Sequence, residues 1–247
     1  MSSTKRDGWS SRSAFILAAV GSAVGLGNAW RFPGLIAKHG GGTFLVVYLI
    51  GMLVIGIPLL MMEISIGRKT RSGAPGAMRA LNKKFEPIGW AATVNAFVIT
   101  TYYAVVFAWV LAMAFFSFKF AGMVGDTESA SNLFATITQT SWTVSDYGIP
   151  IAMLVALLVA WGLIYFCIRD GAKSVSKIVK YTVFLPVVCL LIMAIKGITM
   201  PGGMEGVAKL FIPDLSAFAN TTLWIDAIGQ VFFSLSIMMA IMFAYGS

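Results

Sequence analysis

Charge is scarce in this chain. Asp, Glu, Lys and Arg make up only 11% of its 247 residues, against about a quarter of an ordinary soluble domain, while apolar residues make up 58%. Water is not the main solvent for such a composition. Cysteine is nearly absent: Cys167 and Cys189 both sit inside apolar blocks without metal-ligand spacing, which excludes a disulfide framework and a zinc site. Histidine occurs once, as His39 beside Gly40-Gly41-Gly42. With no cluster of His and carboxylates to form a metal centre or a triad, an enzyme is not expected. Acidic residues are outnumbered by basic ones, 10 to 18, for a net charge of +8. The basic residues fall in loops between apolar blocks, a pattern of membrane orientation rather than nucleic-acid binding, so no nucleic-acid partner is expected.

What the chain does have is long apolar blocks. A spanning helix needs about 20 mainly apolar residues to cross a roughly 30 Å hydrocarbon layer. Such blocks run over 13–37, 43–67, 88–117, 148–168, 177–197 and 224–245. They predict an all-α membrane protein with six transmembrane helices in a lipid bilayer. Buried helices of a soluble protein would need charged outer faces, which these blocks lack. The first block runs past Gly25 and Gly27 to Ile36, too long for the core of a signal peptide, and is expected to stay in the mature protein. Lys5, Arg6 and Arg12 precede span one, Arg68 to Lys84 join spans two and three, and Arg169 to Lys180 join spans four and five. All three regions fall on one side, which places the N-terminus in the cytoplasm.

Span one contains Gly21-Ser22-Ala23-Val24-Gly25-Leu26-Gly27-Asn28, followed by Ala29-Trp30-Arg31-Phe32-Pro33. Each glycine costs a helix about 1 kcal/mol relative to alanine, and an intramembrane arginine usually faces a cavity or a partner. Gly21 and Gly25 alone fit a small-residue packing face. That leaves Asn28 and Arg31 unexplained, whereas Gly25 and Gly27 suit a broken helix whose freed backbone groups line a cavity. A dinucleotide fingerprint fails, because Trp30 stands where a third glycine is needed.

That segment, with Gly40-Gly41-Gly42-Thr43-Phe44, Pro58-Leu59, Glu63 through Gly67-Arg68, Tyr102-Tyr103 and Gly229-Gln230-Val231-Phe232-Phe233-Ser234-Leu235-Ser236, resembles the neurotransmitter:sodium symporters, of the bacterial amino-acid transporter type. The resemblance implies the N-terminal half of an inverted-repeat fold, with spans one and six broken at Gly21–Gly27 and Ser234–Met239. It divides 1–247, as a single transmembrane domain, into a cytoplasmic N-terminus (1–12), a first five-helix repeat (13–197) and the first helix of a second repeat (224–247), where the chain stops.

By the same resemblance, sodium is the coupled ion and chloride dependence is left open. The Ala23 carbonyl, the Asn28 side chain and Ser234 match the first sodium site, and the Gly21 and Val24 carbonyls match part of the second. Tyr103 and the backbone around Leu26 and Gly27 match the contacts of the substrate carboxylate. Ser22, Ala23, Gly25, Ile99, Phe233, Ser234, Ser236 and Met239 complete the expected substrate site. Gly25 stands where monoamine-transporting members carry an aspartate, which implies an amino acid as substrate; the mainly apolar pocket implies a neutral, hydrophobic one. Arg31 and Phe233 match an outer gate, Arg6 and Trp9 an inner one, with Tyr245 in the inner network. For Arg6, a solvated positive-inside charge explains the residue equally well. Glu63, an intramembrane carboxylate, is a functional candidate by default; a structural hydrogen bond to the broken part of span six explains it at least as well, and it is kept out of the ligand set. The function implied is sodium-coupled symport across the plasma membrane, here a bacterial inner membrane. The alternative is a non-transporting half that needs a second chain or serves as a membrane interaction protein.

Overall fold

The computed structural model describes residues 11–123, 125–138, 151–169, 178 and 184–247. They belong to two units, Met1–Ala96 with Ala172–Ser247, and Phe97–Gly171. All regular structure among the described residues is helical.

In the first unit, α1 (Arg12–Ala23) is capped by the Ser11 hydroxyl, which accepts from the Ala14 amide. It is followed by α2 (Leu26–Ala29), α3 (Arg31–Lys38), α4 (Gly42–Gly51) and α5 (Ile57–Thr70). Met52–Gly56 form a π turn between α4 and α5, so one continuous helix runs over Gly42–Thr70. Pro58 explains the wide turn: it offers no N–H, and its ring crowds the carbonyl four residues back. α6 (Ala74–Leu81) lies in the basic loop, and α7 (Glu86–Phe116) begins in this unit.

The second unit contains the rest of α7, with α8 (Thr127–Thr138) and α9 (Ile151–Ile168). Ala112, Ile137 and Met153 from these three helices form its core. The first unit resumes with α10 (Phe184–Thr199), α11 (Gly203–Phe211), α12 (Thr221–Leu235) and α13 (Ile241–Gly246). Its outer core joins Leu35, Phe44, Val47, Leu223 and Ala227, with Phe32 edge-on to Tyr48 at 4.9 Å. Thr43 accepts the Asp214 amide at 2.8 Å. The hydroxyl and then the amide of Ser216 hold the Asp214 carboxyl below the usual carboxylate range. At the opposite end α5 and α13 touch backbone to backbone: a Cβ on Gly67 would collide with the Phe243 carbonyl.

The second, third and fourth expected spans are single helices with adjusted ends; residues 148–150 of the fourth and 177 and 179–183 of the fifth lie outside the described residues. Gly42–Thr70, Lys83–Phe120 and Ile151–Ile168 are each long and apolar enough to cross a membrane, and the bent pairs Arg12–Ala23 with Gly27–Lys38 and Phe184–Thr199 with Gly203–Phe211 raise the number to as many as five. The sixth block forms two helices, α12 and α13, neither of them long enough alone. Large apolar side chains on the outside, such as Leu53 and Val54, fit lipid as their solvent. Short helices α6, α8 and α11 stand where the sequence reading had only loops.

Candidate functional site

Two breaks meet at the centre of the first unit. In span one the helical ladder holds as far as the Val24 amide, which still bonds the Val20 carbonyl at 2.8 Å; the Gly25 amide then turns back to the Ala23 carbonyl at 3.1 Å. The break is therefore Val24–Gly25, shorter than the expected Gly21–Gly27, and Gly21, Ser22 and Ala23 are helical. Gly27 is where the chain needs a missing side chain, since a Cβ there would run into the Phe233 ring.

In span six α12 continues through Ser234 and Leu235, so the break is Ser236–Ala240 rather than Ser234–Met239. Helix α12 ends in a Schellman arrangement: the Ile237 amide reaches the Phe232 carbonyl at 3.1 Å and the Ser236 amide reaches Phe233 at 3.3 Å. The left-handed residue of that cap is usually glycine. Here it is Ser236, and Met238 and Ala240 are left-handed as well, a conformation costing an ordinary residue on the order of 1–3 kcal/mol. Neighbouring spans secure it. Glu63 of α5, buried to 2% exposure, accepts the Met238 amide at 2.8 Å, and the Asn95 amide nitrogen of α7 donates to the Met238 carbonyl at 3.1 Å. Glu63 is thus a backbone anchor, as its separation from the ligand set anticipates.

Side chains join the two breaks. Asn28 donates to the Ala23 carbonyl, and its Oδ1 accepts from the Ser234 hydroxyl at 2.6 Å and the Gln230 amide at 3.2 Å. Ser236 donates to the Ser22 carbonyl at 3.1 Å. The Ala23 carbonyl, the Asn28 side chain and Ser234 Oγ are linked by these hydrogen bonds, which gather uncharged oxygens of the kind that suits a hard cation. Gln230, fully buried, accepts from Arg31 at 2.7 Å and so ties the oxygen cluster to the outer arginine. Arg31 also lies 4.0 Å from Asp226, whose carboxylate bonds Lys38 at 2.9 Å and His39 at 2.7 Å.

Beside the span-six break lies a cavity of about 370 Å³, with Ala91, Ala92, Asn95, Phe233, Met238 and Met239 among its lining residues. Phe233 and Met239 were expected at the substrate. Leu26 opens α2. Ile99 and Tyr103 lie on α7 within the second unit, and Tyr245 lies in α13. Arg6 and Trp9 fall outside the described residues. Sequence reasoning missed Gln230, Asp226 and Asn95 as parts of this arrangement. A buried amide or carboxylate within an otherwise apolar span was the available signal.

A sequence model described as the Sodium:neurotransmitter symporter family matches residues 6–129 and 124–247. An uncharacterized sodium-dependent transporter of Methanocaldococcus jannaschii is 38% identical over all of this chain and 50% of its own length. The mouse sodium-dependent neutral amino acid transporter B(0)AT3 is 33% identical over 94% of this chain and 41% of its own. Among solved structures, MhsT in complex with L-phenylalanine aligns at a TM-score of 0.76 and 32% identity, covering 98% of this chain and 53% of MhsT. The chain spans about half the length of the curated relatives it matches. The two broken spans, the oxygen cluster between them and these matches have one explanation: the chain belongs to the sodium:neurotransmitter symporter family, a family of multi-pass membrane transporters.

Proposed function

We propose that this chain forms the ion-binding and substrate-binding half of a sodium-coupled symporter for a neutral, hydrophobic amino acid. The observation that carries the reading is the oxygen cluster of Ala23, Asn28 and Ser234, which draws on both broken spans at once. Sodium, the cargo ion, replaces the hydrogen bonds within that cluster, so occupying the site ties span one to span six. The Gly21 and Val24 carbonyls contribute to a second sodium site. The substrate carboxylate docks at the Leu26–Gly27 backbone and Tyr103, with Ser22, Gly25, Ile99, Phe233, Ser236 and Met239 around the rest of the amino acid. Substrate and ion each complete the other's site, and such linkage is reciprocal.

Supporting the substrate class are the apolar cavity at Phe233 and Met239, the neutral amino acid transporters among the relatives and the amino acid bound to MhsT. Arg31 and Phe233 gate the outer side through Gln230; Arg6, Trp9 and Tyr245 belong to the inner gate. The basic loops set the N-terminus in the cytoplasm. Because the relatives are about twice as long, a complementary half supplies the remaining walls of a working transporter. Uptake of labelled neutral amino acids into proteoliposomes, with a sodium or a potassium gradient and with or without such a half, tests the reading. Saturable uptake driven by sodium alone supports it, and uptake indifferent to the cation would sink it.

A further inference from the structure

The cavity beside the span-six break is apolar except at one place. Asn95 is the only polar side chain among its lining residues, and it stands four residues before Ile99 and eight before Tyr103, the spacing of one helix face. Its two polar atoms have different duties. Nδ2 must face the Met238 carbonyl, since only the amide nitrogen can donate there. Oδ1 is then the acceptor left on this exposed side chain, which lines the cavity together with Phe233, Met239 and alanines.

An occupant without a hydrogen-bond donor would strip water from that oxygen and leave it unpaired; an occupant with a donor would replace the water. The volume of about 370 Å³ is within the range of small-molecule sites, and the alanines at 91 and 92 leave room where larger side chains would fill it. Resting on the amino-acid reading above, we infer that Asn95 is a specificity-determining residue and that the preferred substrate is an aromatic amino acid whose ring carries an N–H or O–H donor. The same carboxamide positions the break and reads the substrate.

The test compares tryptophan with its benzothiophene isostere, 3-(3-benzothienyl)alanine, which keeps the shape and lacks the donor. Sodium-dependent displacement of labelled leucine from the protein purified in detergent together with a complementary half gives both affinities. Tryptophan is expected to bind about three- to tenfold tighter than the isostere, the worth of one hydrogen bond. Asn95→Leu is expected to bring that ratio to about one. A purely structural role for Asn95 would weaken both ligands together and keep the ratio. Equal affinities in the unsubstituted protein, or a preference that survives Asn95→Leu, would overturn the inference while leaving the amino-acid site standing. Absence of any sodium-dependent leucine binding would overturn both.

Discussion

The two breaks solve one problem by different means. Span one opens over only two residues, Val24 and Gly25, and much of what holds it is local: the Gly25 amide folds back to Ala23, and Asn28 reaches the same carbonyl. Span six opens over five residues that include no glycine, three of them left-handed. Nothing in Ser-Ile-Met-Met-Ala asks for that shape. It is imposed by Glu63 from span two, Asn95 from span three and Ser22 from span one. A break written in glycine is a property of its own segment, whereas a break written in ordinary residues depends on its neighbours.

The comparison breaks most severely at Asn28, which links the two broken spans. Asn28→Ala removes the acceptor for Ser234 and Gln230 and the donor for Ala23. It also removes one of the oxygens proposed to hold sodium, and one lost contact to a charged group, about 1.5–3 kcal/mol, predicts a loss of about tenfold to a hundredfold in sodium affinity, read by isothermal titration, with amino-acid binding falling in parallel. Unchanged affinity for both would remove Asn28 from the site. Next comes Glu63→Ala, which takes from the Met238 amide its charged acceptor; about 2 kcal/mol of stability should be lost in detergent unfolding. Glu63→Gln keeps an acceptor oxygen and should recover most of it, so equal damage from both would point to charge rather than to the hydrogen bond.

Gly27→Ala presses a methyl into the Phe233 ring. The cost is about 1.5 kcal/mol, appearing in substrate affinity more than in the melting temperature; the reverse pattern would mean that the contact matters only for folding. The smallest effect belongs to Ala240→Gly. Relief of a left-handed alanine is offset by the extra freedom of glycine in the unfolded chain, so stability should change by less than about 1 kcal/mol, in the stabilising direction. Marked destabilisation would show that Ala240 is not strained in the folded protein.

This division also explains what could be read from the sequence. The first, second, third and sixth apolar blocks gave their helical segments to within a few residues, because span length is fixed by the bilayer. Asn28 was legible as a polar group in an apolar span, while Ser234, Ser22 and Ser236 came from the family resemblance; the structure brings Asn28 to Ser234 and Ser22 to Ser236. The exact ends of the breaks were not, since Gly21 is compatible with a helix that its neighbours continue and Ser234 sits before a Schellman end set by Ser236. Asn95 and Gln230 escaped because their roles lie in contacts with Met238 and with Asn28 and Arg31, far apart in sequence. Short helices such as α6 and α11 were hidden because each lies in a loop too short and too polar to read as a span.

The central claim is that sodium joins the two breaks through Asn28 and Ser234. A double-mutant cycle on sodium affinity, using Asn28→Ala, Ser234→Ala and the pair, tests it directly. The account predicts a coupling of about 1 kcal/mol or more, the double variant losing less than the sum of the single ones; strictly additive losses would show that the two residues do not share an ion.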